Sequence, residues 1–307
     1  MAERPEPRVP DPRVTVGMPI YNGEAFVREA LDSLLGQTLV DFELLISDNA
    51  SEDATRAICE EYAGRDPRIR YVRSPKNVGA APNYNVLVDR ARGRFFKWAA
   101  HDDVLAPEFL ERCVGALEAE PDVVVAYPRT RYMREDGTEI RTSTGDLDIR
   151  GTDPLARVRQ LIDHEIDGDD VLMSVFGLFR TDALRRTGRI GSYPASDQVL
   201  MFELAMLGGF RQVDAALFFR RLHEGTSMAA NRTPHAQARW FDASERRRVI
   251  LPMWGLWRAH NRALARSGLP FGQRLRGYGK LASRFLRMPG ALAGELKKAV
   301  FQLFRRD

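Results

Sequence analysis

Cysteine is scarce. Cys59 and Cys113 are the only two in 307 residues, each in a helix-like amphipathic stretch and neither in a Cys-x-x-Cys pair. No disulfide framework or cysteine zinc site can be built from them, and the expectation is two buried reduced thiols in a reducing cytoplasm. Long apolar runs are missing as well. No window reaches the roughly eighteen uninterrupted apolar residues that a spanning helix needs. Met1 to Arg13 alternates proline with charged residues, which excludes a secretory signal there and reads as a short disordered lead. There is no internal repeat and no low-complexity tract of useful length. Finally, Pro19 to Glu24, after the first apolar run, is not rich in glycine and basic residues. A nucleotidyltransferase would place its triphosphate loop at that point, so this class is ranked last.

What is present suits a globular enzyme: 44% hydrophobic and 29% charged residues, in a length that allows one large domain or a catalytic domain with an appendage. The net charge of +4 is unevenly spread, because Phe271 to Asp307 holds nine Lys or Arg against Glu295 and Asp307. The tail is therefore +7 and the rest −3, so the basic pI is no argument for nucleic-acid binding, and none is expected.

The first half alternates β-rich runs with amphipathic stretches of helix length, as in a sheet with crossover helices. Strands are expected at Val14 to Pro19, Phe42 to Ser47, Ile69 to Val72 and Phe95 to Ala100, with helices at Ala25 to Gln37, Asp53 to Tyr62, Asn83 to Ala91 and Pro107 to Glu118. After that the pattern is mixed. Val123 to Tyr127, Val171 to Arg180 and Ala216 to Leu222 read as strands, Glu135-Asp136-Gly137 as a turn between two more, and Asp197 to Leu207 as a helix stopped by Gly208-Gly209. From Pro234 onward the signal is helical, broken at Pro252, Gly268-Leu269-Pro270 and Pro289-Gly290.

Three strand ends carry chemistry. The first closes on Pro19-Ile20-Tyr21-Asn22-Gly23 and the second on Ser47-Asp48-Asn49-Ala50-Ser51-Glu52-Asp53. At neighbouring strand ends Tyr21 could stack on a flat base while Asp48 accepts hydrogen bonds from it; the competing reading has Asp48, Asn49 and Ser51 turn the chain and cap a helix. The third run, Phe95 to Ala100, delivers His101-Asp102-Asp103. Adjacent carboxylates at the carboxyl edge of a sheet are hard oxygen ligands where a nucleoside diphosphate and its magnesium or manganese would sit, although acids ahead of Pro107 also suit a helix N-terminus.

Taken together, Pro-Ile-Tyr-Asn, Glu-Leu-Leu-Ile-Ser-Asp-Asn-Ala-Ser-Glu-Asp, Asn77-Val78-Gly79, Asn85, Ala91-Arg92-Gly93 and the carboxylate pair, in this order, resemble the family 2 inverting nucleotide-sugar glycosyltransferases. The resemblance spans roughly the first two thirds of the chain. It implies an α/β fold of GT-A type, a Rossmann-like mixed sheet flanked by helices, over residues 14–230, followed by a helical extension over 231–307. It further implies that the donor nucleotide meets Pro19, Tyr21, Asn22, Asp48, Asn77, Gly79, Asn85, Asp103 and Arg221, and that Asp102 and His223 approach Mg²⁺ or Mn²⁺. Arg221-Leu222-His223 matches the family's Arg-x-His ending, with Arg221 as a phosphate clamp. Asp197 matches the base that takes the acceptor proton, with a helix N-cap as its other reading. The chain departs from the family pattern at Ala100, where many relatives have a first aspartate, and at Tyr84, where many have arginine.

The function expected is thus metal-dependent, inverting transfer of a sugar from a nucleotide-diphosphate donor, UDP being the first candidate, to the hydroxyl of a polysaccharide, lipid-linked glycan or small metabolite. The alternative is a non-catalytic nucleotide-sugar-binding or scaffolding subunit, with Ala100 marking lost activity. In the tail, apolar Leu275, Tyr278, Leu281, Phe285, Leu286, Leu292, Leu296, Val300, Phe301 and Phe304 lie among basic residues. Such helices either rest on an anionic membrane, which would put the enzyme at its inner face, or pack on the catalytic domain or in a homodimer.

Overall fold

The structure is a computed structural model that describes residues 11–145, 147–167, 173–247, 249–286 and 289–304. Most of the expected lead, together with Val171 and Leu172 of one expected strand, lies outside these residues. The described strands are β1 (Val14–Ile20), β2 (Phe42–Asp48), β3 (Ile69–Arg73), β4 (Phe95–Trp98), β5 (Val104–Leu105), β6 (Val123–Met133), β7 (Glu139–Thr142), β8 (Leu178–Arg180) and β9 (Gly209–Arg221). They make one sheet in the order β3-β2-β1-β4-β8-β6-β9-β5, with β7 paired to β6.

The first four strands in that order are mutually parallel. β1 and β2 are buried at every position, on both faces of the sheet, and the polar Thr15, Glu43, Ser47 and Asp48 within them are buried with the apolar residues. Val14, Val16, Met18 and Ile20 point into the core on one side of the sheet, while Leu45, Phe96 and Trp98 point into the core on the other. Crossover helices Val27–Leu35, Thr55–Arg65 and Ala80–Arg90 cover the two faces, the first through Val27, Ala30, Leu31 and Leu34. Every strand of this half therefore ends at one edge, and the β1 and β2 loops lie side by side.

Beyond β4 the sheet becomes mixed. β8 is antiparallel to both β4 and β6, β9 runs parallel to β6, and β5 returns antiparallel to β9. Here several expectations are corrected. The carboxylate pair does not run straight from a strand into a helix: β4 stops at Trp98, and Val104–Leu105 pairs with Phe218 and Phe219 before the helix begins at Phe109. That pairing carries β9, which begins at Gly209 and not at Ala216, past the Asp102-Asp103 loop. Helices Pro154–Asp167 and Thr181–Arg185 form where no helix was expected. The turn at Glu135-Asp136-Gly137 does join two strands, with Gly137 at φ +84°.

The C-terminal part is helical, over Pro234–Phe241, Pro252–Arg266, Phe271–Leu286 and Pro289–Phe304. Leu256, Ala259, His260, Ala263 and Leu264 bury the second of these, which packs on the helix Ser196–Leu207. Glu203 of that helix accepts from Gly188 N at 2.6 Å and from Arg266 at 2.9 Å, so it pins the extension to the domain. Among the described residues, no helix is long and apolar enough to cross a membrane.

Candidate active site

Two loops and two strands build one cleft. The β1 and β2 loops are laced together: Asn22 N donates to Ser51 Oγ at 3.0 Å, Glu52 N to Asn22 Oδ1 at 2.9 Å, and Gly23 N to Thr55 Oγ1 at 2.8 Å. Asn22 adopts φ +50°, a left-handed conformation that asparagine tolerates better than most residues. Next to them Asn49 holds the segment after β3, taking Val78 N on Oδ1 at 2.9 Å and giving Nδ2 to Asn77 Oδ1 at 2.9 Å. The resulting cleft is about 670 Å³ and is lined by Pro19, Tyr21, Asn22, Asn49, Asn77, Asp102, Asp103, Arg221 and His223, among others. Tyr21, 40% exposed, offers its ring there.

Four other expected site residues do not line it. Asp48 is wholly buried, and its carboxylate accepts from Ser51 N at 2.8 Å and from Tyr71 Oη at 2.6 Å, with Arg73 at 3.4 Å. Those lone pairs shape the loop, so the cleft-facing polar group at this strand end is Asn49. Gly79, at φ +93°, sits behind the wall, where an added Cβ would come within 2.6 Å of the Phe241 carbonyl. Asn85 is a clamp: its amide gives to Ile190 O at 2.8 Å and takes Ile190 N at 3.1 Å. Asp197 heads the helix Ser196–Leu207, where Oδ1 accepts its neighbour Gln198 N at 3.0 Å.

Asp197 is nevertheless tied to the cleft electrostatically. Burial pushes its carboxyl above the ordinary value, and the Arg220 guanidinium pulls the other way. The same cation acts on Asp103, whose carboxyl burial and the neighbouring Asp102 push up to about 7. Arg220 lines the cleft, and among the described residues its contact is the Phe176 ring, 5.8 Å from the guanidinium carbon. Arg221 also borders the cleft, but on the other face of the strand its guanidinium is taken up by protein partners. Only 3% exposed, it donates to Asp102 O at 3.1 Å, Glu135 O at 2.6 Å and Glu29 Oε2, while its own N–H gives to Asp103 Oδ1 at 2.9 Å. The expected phosphate clamp is therefore a strut that fixes the aspartate loop, and among the described residues Arg220 is a cation of the cleft with no ion pair.

Among the described residues, no three His, Cys, Asp or Glu side chains are grouped to hold a metal. Two are. His223 Nε2 lies 2.9 Å from Asp102 Oδ2, and Gly225 N donates to His223 Nδ1 at 3.2 Å. With Nδ1 accepting, the neutral ring carries its proton on Nε2 and gives it to Asp102. Two cis ligands of an octahedral ion with bonds of about 2.1 Å would be about 3.0 Å apart, so this N,O pair fits one edge of a magnesium- or manganese-sized ion that displaces the shared proton. His101 packs its ring on Gly23, where a Cβ would meet it at 2.5 Å, and burial lowers its pKa.

Besides Arg220, Asn83 and Phe176 of the domain, some residues that sequence reasoning passed over come from the extension. Arg239 and Trp240, on the helix whose start Thr233 caps by accepting Ala236 N at 3.1 Å, and Ala243 just beyond that helix line the same cleft. The cap and Pro234 mark that helix in the sequence, but nothing local says where it docks.

Residues 15–187 match the model of the glycosyl transferase family 2 family, more than half of the chain. The chain belongs to this family. It is 31% identical over 129 residues to chondroitin synthase of Pasteurella multocida, covering 42% of this chain and 13% of that protein. To the uncharacterized glycosyltransferase EpsJ of Bacillus subtilis it is 36% identical over 107 residues, 35% of this chain and 31% of that one. The chain thus aligns with only a minor part of these family 2 relatives. Among solved structures it resembles S. aureus TarS residues 1–349 in complex with UDP-GlcNAc, with a TM-score of 0.63 at 19% identity over 89% of this chain and 72% of that one. Mannosyltransferase PcManGT from Pyrobaculum calidifontis, in complex with GDP-Man and Mn²⁺, gives 0.52 at 18% identity over 99% and 92%. The family 2 fold expected from the motifs, of GT-A type with C-terminal helices, is the one observed.

Proposed function

We propose that this family 2 chain moves a glycosyl group, with inversion, from a nucleoside diphosphate sugar to an acceptor hydroxyl. One observation carries the reading: residues from the ends of β1, β2, β4 and β9 converge on one 670 Å³ cleft whose lining includes both the Tyr21 ring and the Asp102–His223 carboxylate–imidazole pair. Tyr21 stacks on the base, and Asn22 and Asn77, held in place by Ser51, Glu52 and Asn49, read its edges and the ribose. Asp102 and His223 hold Mg²⁺ or Mn²⁺, which when bound screens the charge of the departing diphosphate. Arg220 faces the same phosphates with an uncommitted guanidinium. Asp197, outside the lining of the cleft but within the field of Arg220, is our choice for the base that takes the proton of the acceptor hydroxyl as its oxygen bonds to the anomeric carbon and the bond from that carbon to the diphosphate oxygen breaks. The bound UDP-GlcNAc of TarS and the GDP-Man and Mn²⁺ of PcManGT support the donor class and the metal. UDP is our first choice of carrier.

A thermal-shift screen of UDP, GDP, CDP and ADP, each with and without Mn²⁺, tests this. Selective, metal-enhanced stabilisation by one diphosphate is expected, about 2.7 kcal/mol at a hundred times its Kd. No stabilisation by any of them would refute the proposal, whereas donor binding without release of nucleoside diphosphate would turn it into the non-catalytic reading suggested by Ala100.

A further inference from the structure

The helix Pro234–Phe241 lies outside the stretch 15–187 matched to the family, yet it is built into the wall of the cleft. Ala238 is buried, and Phe241 packs against the hydrophobic core. Just beyond the helix the chain turns on Asp242, whose Oδ1 accepts Ser244 N at 2.9 Å and Ser244 Oγ at 2.6 Å. Phe241 to Ala243 then lie directly on Gly79. A Cβ at that glycine would stand 2.6 Å from the Phe241 carbonyl oxygen, 2.7 Å from Asp242 Cα and 2.8 Å from the Ala243 nitrogen, so the approach depends on its absence. Gly79 N in turn donates to Asn77 Oδ1 at 2.9 Å, the atom that also takes Asn49 Nδ2. Trp240 is thereby pinned beside the loop that follows β3.

That location selects a ligand. Along the sheet edge the strand ends run β3, β2, β1, β4, so the loops carrying Asn77, Asn49 and Tyr21 stand on one side and the Asp102–His223 pair on the other. A nucleoside diphosphate whose phosphates face that pair has its base on the Asn77 side, where Trp240 is. The indole is half-buried, and its contact with the Phe241 ring, 4.7 Å between centroids and 87° between planes, covers at most one of its faces. An aromatic face at a cleft wall suits a second flat ring. On the donor reading given above, we propose that Trp240 stacks on the base of the donor nucleotide, as an aromatic contact additional to Tyr21, so that the C-terminal extension forms part of the donor site. The acceptor is the other occupant an indole can serve, but its base, Asp197, lies in the field of Arg220 on β9.

Of the four tryptophans, Trp240 alone lines the cleft, which makes fluorescence a direct readout. The full chain is titrated with UDP, GDP, CDP and ADP in the presence of Mn²⁺, with affinities measured by calorimetry. The diphosphate that binds the parent is expected to quench its fluorescence, and W240F should lose most of that quench while binding within about threefold of the parent, since phenylalanine also stacks. W240A should bind it about fivefold to a hundredfold more weakly. Inorganic pyrophosphate with Mn²⁺, which has no base, should bind the parent and W240A alike. A parent-like quench in W240F, or W240A that binds the nucleotide as tightly as the parent, would overturn the proposal and leave the glycosyltransferase reading standing; binding of no diphosphate by the parent would remove both. Equal losses for nucleotide and pyrophosphate would also overturn it, because they would report a disturbed cleft and not a lost stack, and so would a change in acceptor KM alone, which would assign the indole to the acceptor.

Discussion

Lys97 is wholly buried on β4, five residues before the proposed metal ligand Asp102, and this placement makes stability depend on pH in a calculable way. Its ammonium lies 4.3 Å from the centre of the Phe109 ring and 5.4 Å from that of Phe218. It donates to Trp98 O at 3.2 Å and to Phe176 O. Burial pushes its pKa from 10.5 down to about 7, and the neutral amine has two N–H groups for these two carbonyls. Between pH 7 and 10.5 the unfolded chain holds a proton that the folded chain has shed, so this group makes stability rise with pH; below pH 7 that advantage is gone. At about 1.36 kcal/mol per pH unit the gain is about 2 kcal/mol from pH 7 to 9, allowing for partial titration at pH 7. Wild type alone would not reveal it, because burial pushes Cys59 and Cys113 up to about 12, and such groups lose stability with pH as the unfolded thiols ionise first. The readout is therefore the difference from K97M, whose side chain roughly preserves volume between the two rings. K97M leaves two carbonyls without a donor, at about 1–3 kcal/mol each whatever the pH. In urea unfolding at pH 7, 8 and 9, the stability of wild type minus that of K97M should climb by about 2 kcal/mol. Parallel profiles would refute the assignment of a neutral buried amine.

Two shorter predictions address the site. D197N should lower turnover by about a hundred- to ten-thousand-fold while leaving the donor's thermal shift in place. In wild type, activity should rise with pH through a pKa above the ordinary carboxylate range, because burial raises it and the carboxylate is the working form; near-normal kinetics in D197N would remove Asp197 from the mechanism. G79A should cost about 1–3 kcal/mol in chemical denaturation and weaken donor binding, since φ +93° with ψ 166° is a glycine conformation and the new Cβ would push on Phe241 to Ala243 beside Trp240. Unchanged donor affinity in a destabilised G79A would mean that this wall does not touch the nucleotide.

What was legible in the sequence is what depends on near neighbours. The turn chemistry of Asn22 and of Asp48 to Asp53, and the buried runs of β1 and β2, set two loops at one sheet edge, and the cleft formed there. Ala91-Arg92-Gly93 was legible as a motif but not as a role. Its backbone and guanidinium grip buried Glu43, with Arg92 Nη2 2.7 Å away, and Thr15 takes Gly93 N at 2.8 Å, so it is a fastening and not part of the cleft. What stayed hidden depends on parity or on distant partners. Arg220 and Arg221 differ by one position and both border the cleft, yet strand alternation leaves the first guanidinium without an ion pair among the described residues and ties the second to Glu29, 192 residues away; a residue match could choose either, and the motif chose the strut. Asp48 was read as a base contact because it ends a strand, and only Tyr71, 23 residues on, reveals that its oxygens are engaged. The same reasoning divides the tail. Leu281 and Phe285 look like Phe271 and Leu275 in sequence, but the first pair is buried and the second stands in water. Packing on the domain, one expectation for the tail, is thus met at Gly277, Leu281 and Phe285, while Phe271, Leu275 and Leu286, the next residues around the same helix, stay exposed because no described element covers that flank.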